Sequence, residues 1–204
     1  MNLNFRRYDL HSIWFYIIWL LGSYILGSVL VGELICRAKG IDIRKLGTGN
    51  PGTANIWRQV GKKYGIVVFI LDVLKGVLVT LPLALMNVEL TWIAATMICT
   101  LLGQFFPVFF KFRGNTGMAV LFGTSAGLVP FGALIGAPIL ILMFIISKNS
   151  GLSGAVFFLV CGISGAFIYV DDWEWLGAIY LLLGSVLVLI KQHFQYSGDD
   201  SPEQ

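Results

Sequence analysis

The residues best suited to chemistry in this chain lie between Gly40 and Gly61, in the run G-I-D-I-R-K-L-G-T-G-N-P-G-T-A-N-I-W-R-Q-V-G. Arg44, Lys45 and Arg58 stand within it, and Lys62 and Lys63 follow. Gly47, Gly49 and Gly52 are set among Thr48, Asn50, Thr53 and Asn55. Glycine accepts positive φ angles, so successive N–H groups can turn toward one point. Such a nest beside arginine is an anion site, and a phosphate compound suits it best. A second interval, Gly103 to Gly117, combines Pro107, Lys111, Arg113, Gly114, Asn115 and Thr116 in a similar mixture. A short polar link at 148–154 adds Ser153.

The competing reading is that basic loops attract anionic lipid headgroups and set topology without binding anything specific. That reading suits Lys39, Lys45, Lys62 and Lys63. Arg58, closing a Gly/Thr/Asn run, suits a site. Asp72 and Lys75 are three residues apart on one helical face inside an apolar run. Intramembrane ionisable residues are functional candidates, yet this spacing lets each neutralise the other, which favours a structural pair. His11 and His193 are in no Ser-His-Asp or metal-ligand setting, and no nucleophile elbow or HExxH motif is present. Cys36, Cys99 and Cys161 are odd in number, far apart and embedded in apolar runs, which reads as buried free thiols. No metal or organic cofactor is implied, and no nucleic-acid partner.

The elements that must position these residues are membrane helices. Only 12% of the 204 residues are charged and 57% are hydrophobic. A soluble domain carries about twice that charged fraction, so the expected class is an all-α integral membrane protein. A porin-like barrel would need short alternating segments, which are absent. Apolar runs cover 12–36, 64–86, 90–102, 118–128, 131–146, 155–170 and 175–190. That predicts about seven transmembrane helices, with 118–128 short for an ordinary span. The first run carries G-S-Y-I-L-G-S, whose small residues let another helix approach closely. Residues 1–196 form one polytopic domain, and 197–204 a polar tail. No cleavable signal is recognisable.

Positive residues orient the chain. With the Gly40 loop in the cytoplasm, the inner segments hold Arg37, Lys39, Arg44, Lys45, Arg58, Lys62, Lys63, Lys111, Arg113, Lys148 and Lys191. The outer segments keep Arg6 and Arg7 and carry Glu89, Asp171, Asp172 and Glu174. The expectation is therefore N-terminus outside and C-terminus cytoplasmic. Both Gly-rich intervals then fall at the cytoplasmic leaflet. Irregular backbone near the membrane persists there only if it is packed in protein or lines a wet cavity.

The run G-x-D-I-R-x-x-G-[ST]-G-N-x-G-x-x-N-x-x-R-x-x-G, followed by K-K-Y-G, D-x-x-K-G and G-x-x-x-P-V-F-F-x-F-[KR]-G, resembles the PlsY-type acyl-phosphate:glycerol-3-phosphate acyltransferases. These are bacterial integral membrane enzymes that begin phospholipid synthesis. The resemblance covers nearly the whole chain. It implies acyl transfer from acyl phosphate to the 1-hydroxyl of glycerol 3-phosphate, giving lysophosphatidic acid, without a covalent enzyme intermediate. It also implies a bacterial inner-membrane protein with its site on the cytoplasmic face. The implied substrate-binding residues are Thr48, Gly49, Asn50, Asn55 and Arg58 of the first loop, Lys111, Arg113, Gly114, Asn115 and Thr116 of the second, and Ser153. No catalytic residue is assigned.

Several positions depart from the family pattern. Thr48 replaces a Ser and keeps the hydroxyl. Thr53 carries a hydroxyl that the family has at Ala54. Gln104 replaces a His, Arg113 a Lys and Asn115 a Gly, while Thr116 replaces a Lys of the phosphate grip. Near the C-terminus, Gln192 and Gln195 align with a His and an Asn, with His193 one step away. Because these changes gather on the grip, the second reading is a non-catalytic or substrate-shifted relative. It would bind a phosphate compound or lipid at the cytoplasmic leaflet.

Overall fold

A computed structural model describes residues 10–147 and 150–168, with 179, 181–183, 185, 186, 189 and 190. Among these, the regular structure is helical, with no strand. The first apolar run forms two helices, α1 (Leu10–Gly27) and α2 (Val31–Ala38). The Gly40 loop holds a 3-10 turn at Ile43–Lys45 and a short helix α3 (Thr53–Gln59). There follow α4 (Lys62–Leu85), α5 (Leu90–Phe105), a 3-10 turn at Val108–Phe110, α6 (Met118–Leu128), α7 (Pro130–Ser147) and α8 (Ser150–Ile168).

Among the described residues, two helices are long and apolar enough to cross a bilayer: Lys62–Leu85, and Leu90–Phe110 counted through the 3-10 turn. At 24 residues, α4 rises about 36 Å, enough for a hydrocarbon core of about 30 Å. The expected span 12–36 is not one straight helix. It breaks after Gly27 and bends by 40°, and it makes a third crossing only if both halves are taken together. The third run extends to Phe105 rather than ending at 102. Of the expected last span, only scattered residues are described, and the acidic link at 171–174, Lys148 and residues 191–204 lie outside the described residues.

The centre of the fold is α6. At 11 residues it rises only about 17 Å, so it cannot cover a bilayer by itself. It is apolar all round and packs against α4, α5 and α7. Its crossing with α4 is a glycine contact. A Cβ on Gly123 would run into the carbonyl of Val73, and one on Gly76 would strike the backbone of Val120 and Thr124. Thr80 completes the seam, its hydroxyl donating to Gly76 O at 2.9 Å and Thr124 O at 3.2 Å. Leu83, Met97, Leu101, Leu121, Val129, Phe157, Phe158 and Cys161 fill the main core. Trp14, Ile18, Leu21, Leu78, Leu134, Ile145 and Ile146 lie exposed on the outer surface, as lipid-facing residues do.

A smaller core decides where the first loop sits. Ile43 and Ile56, both from that loop, are buried with Cys36 of α2 and Val68 of α4. Fully burying an Ile side chain stabilises by roughly 1.5–3 kcal/mol. These two anchors therefore fasten the Gly40 loop across α2 and α4.

Candidate functional site

The first loop is shaped by Asn55. Its side chain is 3% exposed, its Nδ2 donates to Leu46 O at 2.9 Å, and its Oδ1 accepts from Thr48 N at 3.2 Å. One amide thus closes the G-T-G turn. Gly47 must be glycine twice over: its φ is 57°, and a Cβ there would collide with Asn55 Oδ1. Asn50 Oδ1 accepts from Gly52 N at 3.0 Å, forming the Asx turn that leads into α3. The second loop repeats the device. Asn115 Oδ1 accepts from Gly117 N at 2.9 Å, and Asn115 N donates to Gln104 O at 2.9 Å.

These loops enclose the mouth of a cavity of about 300 Å³. Thr48, Asn50, Thr53, Asn55 and Arg58 line it from the first loop, and Asn115 and Thr116 from the second. Ser153 of α8 closes the polar end. Beyond them the lining becomes apolar, with Ile66 and Phe69 of α4, Met118 and Phe122 of α6, and Leu140, Ile141 and Ile145 of α7. The cavity is therefore amphipathic along its length. Its polar end has the chemistry to suit an anion, and its apolar wall that to suit a hydrocarbon chain.

The structure brings together seven of the sequence-expected residues: Thr48, Asn50, Asn55, Arg58, Asn115, Thr116 and Ser153. Gly49 and Gly114 belong to the loops but not to the lining, and Lys111 and Arg113 are exposed outside it. Gly114 is buried, because a Cβ there would strike the carbonyls of Gln104 and Phe105. Ser153 is not in a link as the sequence suggested; it lies in the first turns of α8. Arg58 has no ion-pair partner among the described residues, which leaves its guanidinium available at the mouth.

Three groups were underweighted by the sequence reading. Asp72 lines the cavity, although its Oδ1 is held by Lys75 Nζ at 2.6 Å and both side chains are buried. Lys75 Nζ also donates to Val29 O at the break between α1 and α2. The expected structural pair thus forms, and it also ties α4 to that break. Thr53 Oγ1 is buried in the lining with no hydrogen-bond partner. Arg44 was named in the basic run and given no role of its own, yet it links the two loops. Its Nε bonds Glu33 Oε2 at 3.0 Å, Nη1 donates to Gly114 O at 3.0 Å and Nη2 to Arg113 O at 2.6 Å. Burial pushes the Arg44 pKa below its usual value, and the Glu33 carboxylate opposes that shift. An arginine remains charged at neutral pH regardless. Glu33 also bonds Arg37 Nε at 3.1 Å. A signal existed in the spacing: Glu33 is buried at the loop's entrance, where an acid requires a cation.

A family model described as Glycerol-3-phosphate acyltransferase matches residues 17–197 of this chain. The chain belongs to this family. The glycerol-3-phosphate acyltransferase of Aquifex aeolicus (strain VF5) is 40% identical over 104 residues, covering 50% of this chain and 54% of that protein. The one from Geotalea daltonii is 36% identical over 112 residues, covering 55% and 58%. That of Prochlorococcus marinus (strain NATL1A) is 38% identical over 125 residues, covering 58% and 62%. The chain thus spans little more than half the length of these relatives. Among solved structures, it is similar to the glycerol 3-phosphate form of PlsY, an integral membrane glycerol 3-phosphate acyltransferase. The TM-score is 0.77 at 27% identity, covering 89% of this chain and 90% of that one. The lysophosphatidic acid form of the same enzyme aligns with a TM-score of 0.73. Within the acyltransferase family, then, this member sets Arg58, Asn50, Asn55 and Thr116 around its cavity.

Proposed function

We propose that the chain transfers an acyl group from acyl phosphate to the 1-hydroxyl of glycerol 3-phosphate, releasing lysophosphatidic acid and inorganic phosphate. The observation that carries this reading is the two-natured cavity. A phosphate-compatible mouth formed by Thr48, Asn50, Thr53, Arg58, Asn115 and Thr116 runs into an apolar wall of Ile66, Phe69, Phe122 and Ile141. An anion alone would not need the wall, and a neutral lipid would not need the mouth. Membership of the family and the named activities of its relatives support the same conclusion.

In this reading Thr48, Asn50 and Arg58 hold the acceptor phosphate, with Asn55 shaping the turn. Asn115, Thr116 and the backbone at Gly114 face the acyl phosphate, Lys111 and Arg113 add positive field outside the lining, and Gly49 keeps the turn open. Ser153 closes the polar end. The 1-hydroxyl oxygen attacks the acyl carbon, the C–O bond to phosphate breaks, and the proton leaves with phosphate or solvent. Acyl phosphate is already activated, so positioning and charge stabilisation can supply most of the rate. No cofactor enters the scheme.

The same reading places the protein in a bacterial inner membrane as one polytopic domain of about seven spans. The N-terminus is outside and the cavity mouth faces the cytoplasm. The positive charge of the loops supports this orientation. The test is direct. Purified protein receives acyl phosphate and labelled glycerol 3-phosphate, and lysophosphatidic acid is measured. Product is expected, falling on the order of 100-fold in Arg58→Ala. Wild-type output no higher than that of the variant would reject catalysis and favour a binding-only relative.

A further inference from the structure

Arg44 does not line the cavity, yet from its place in the first loop its side chain bonds the second. Its guanidinium is spent on three acceptors: Glu33 Oε2, Gly114 O and Arg113 O. A planar fork reaches two successive carbonyls and a carboxylate at once, which a lysine ammonium on a single stem cannot reproduce. Glu33 aims the fork and is itself fixed, with a side chain 8% exposed and Arg37 on its other oxygen.

The two loops depend on this contact unequally. The first is held independently by the Asn55 amide and by the buried Ile43 and Ile56. The second has bonds of its own at Asn115 and in its turn, where Phe112 N donates to Pro107 O and Arg113 N to Phe110 O, but it enters from α5 through exposed Phe109 and Phe112, with Lys111 and Phe112 at φ 54° and 59°. Two successive non-glycine residues in the left-handed region persist only where neighbours hold them. Arg44 grips the backbone immediately after them, at Arg113 and Gly114, and the next two residues line the cavity.

We propose that Arg44, aimed by Glu33, is a positioning residue that sets Asn115 and Thr116 against the fixed first loop and so determines acyl-phosphate binding. The proposal rests on the acyl-transfer reading above. It assigns the latch to the donor side, because the loop it restrains is the one facing the acyl phosphate.

The experiment uses the full chain in lipid nanodiscs, with Arg44→Gln, Arg44→Lys and Glu33→Gln compared with Lys45→Gln. Lys45 stands beside Arg44 in the first loop but is exposed and pairs with Asp42 at 3.7 Å. Kinetics give separate KM values for the two substrates, and binding is measured with a non-hydrolysable acyl phosphonate. Both Arg44 variants are expected to raise the acyl-phosphate KM and the phosphonate Kd about tenfold. Glu33→Gln should do so by a smaller factor. The glycerol 3-phosphate KM should stay within about threefold, and Lys45→Gln should match wild type. Unchanged donor KM and phosphonate Kd in the folded fraction, with only thermal stability altered, would overturn the latch. So would equal loss for both substrates, or full rescue by Arg44→Lys. If wild type binds the phosphonate but makes no lysophosphatidic acid, the acyl-transfer reading fails. The latch is then decided by phosphonate Kd, a tenfold loss supporting it and no change refuting it. Should the Arg44 variants not fold, Glu33→Gln decides on the same readouts.

Discussion

Thr116 and Asn55 show how much one side chain decides in this cavity. Thr116 lines the polar mouth, and the resemblance implies a lysine of the phosphate grip at this position. A charge-assisted hydrogen bond contributes roughly 1.5–3 kcal/mol. Thr116→Lys is therefore expected to lower the acyl-phosphate KM by about ten- to a hundredfold, read from initial rates at varied donor concentration. No change would mean that the lysine's task has moved to another group. Asn55 acts instead through the backbone. Asn55→Ala leaves Leu46 O and Thr48 N without their partner inside a buried turn. A loss of about 2–4 kcal/mol of stability is expected, at 1–3 kcal/mol for each orphaned group with partial access to water. Hydrogen exchange at the amides of 46–52 should rise before global unfolding, which would localise the effect to the loop. Asn55 was legible as a site residue from its place in the motif. That it works by closing the turn, while Arg58 is left open at the mouth, was not, because both read as polar residues in a loop.

At the scale of elements, the α4–α6 seam and the Asp72–Lys75 pair position the cavity floor. The seam relies on glycine facing backbone, so Gly123→Val is expected to separate the helices and abolish a stable fold. Thermal unfolding in detergent should show no cooperative transition. For the pair, removing one partner leaves an uncompensated buried charge, at a cost of about 3–5 kcal/mol. Lys75→Met should fall by that amount, and Asp72→Asn combined with Lys75→Met should recover most of it, as a double-mutant cycle on unfolding free energy would show. Failure to recover would mean that the bond from Lys75 to Val29 O, rather than neutralisation of Asp72, is the main contribution. The i,i+3 spacing announced this pair. The bend after Gly27 was not announced, since an apolar run of spanning length reads equally well as straight or broken. Its cause is tertiary: α2 turns to lie against the first loop, so closely that a Cβ on Gly32 would meet Pro51 O.

For the molecule as a whole, the proposed acyl transfer depends on orientation, because it needs the cavity mouth on the side from which its substrates come. Basic residues gather on the loops around the cavity mouth, and Glu89 lies at the opposite end of α4, in the turn to α5. In a background with the native cysteines replaced by alanine, a cysteine at Glu89 should react with membrane-impermeant maleimide in intact spheroplasts. One at Lys62 should react only after permeabilisation. The reverse pattern would invert the proposed topology and move the cavity mouth to the outer face.

The residue pattern by itself determined the class, through scarce charge and long apolar runs that only lipid-embedded helices satisfy. It also pointed to the family, through the resemblance carried by the run that holds Gly47, Asn50, Asn55 and Arg58. Tertiary structure alone decided which of these side chains face a common space. It placed Lys111 and Arg113 outside the lining, Thr53 and Asp72 within it, and an apolar wall from α4, α6 and α7 beneath a polar mouth. It also turned Arg44 from one cation among many into the link between the loops. Local sequence sets turn geometry and helical faces. Which distant carbonyl a guanidinium reaches depends on how the two loops are held together, and Arg44 lies 70 and 69 positions from its acceptors at 114 and 113.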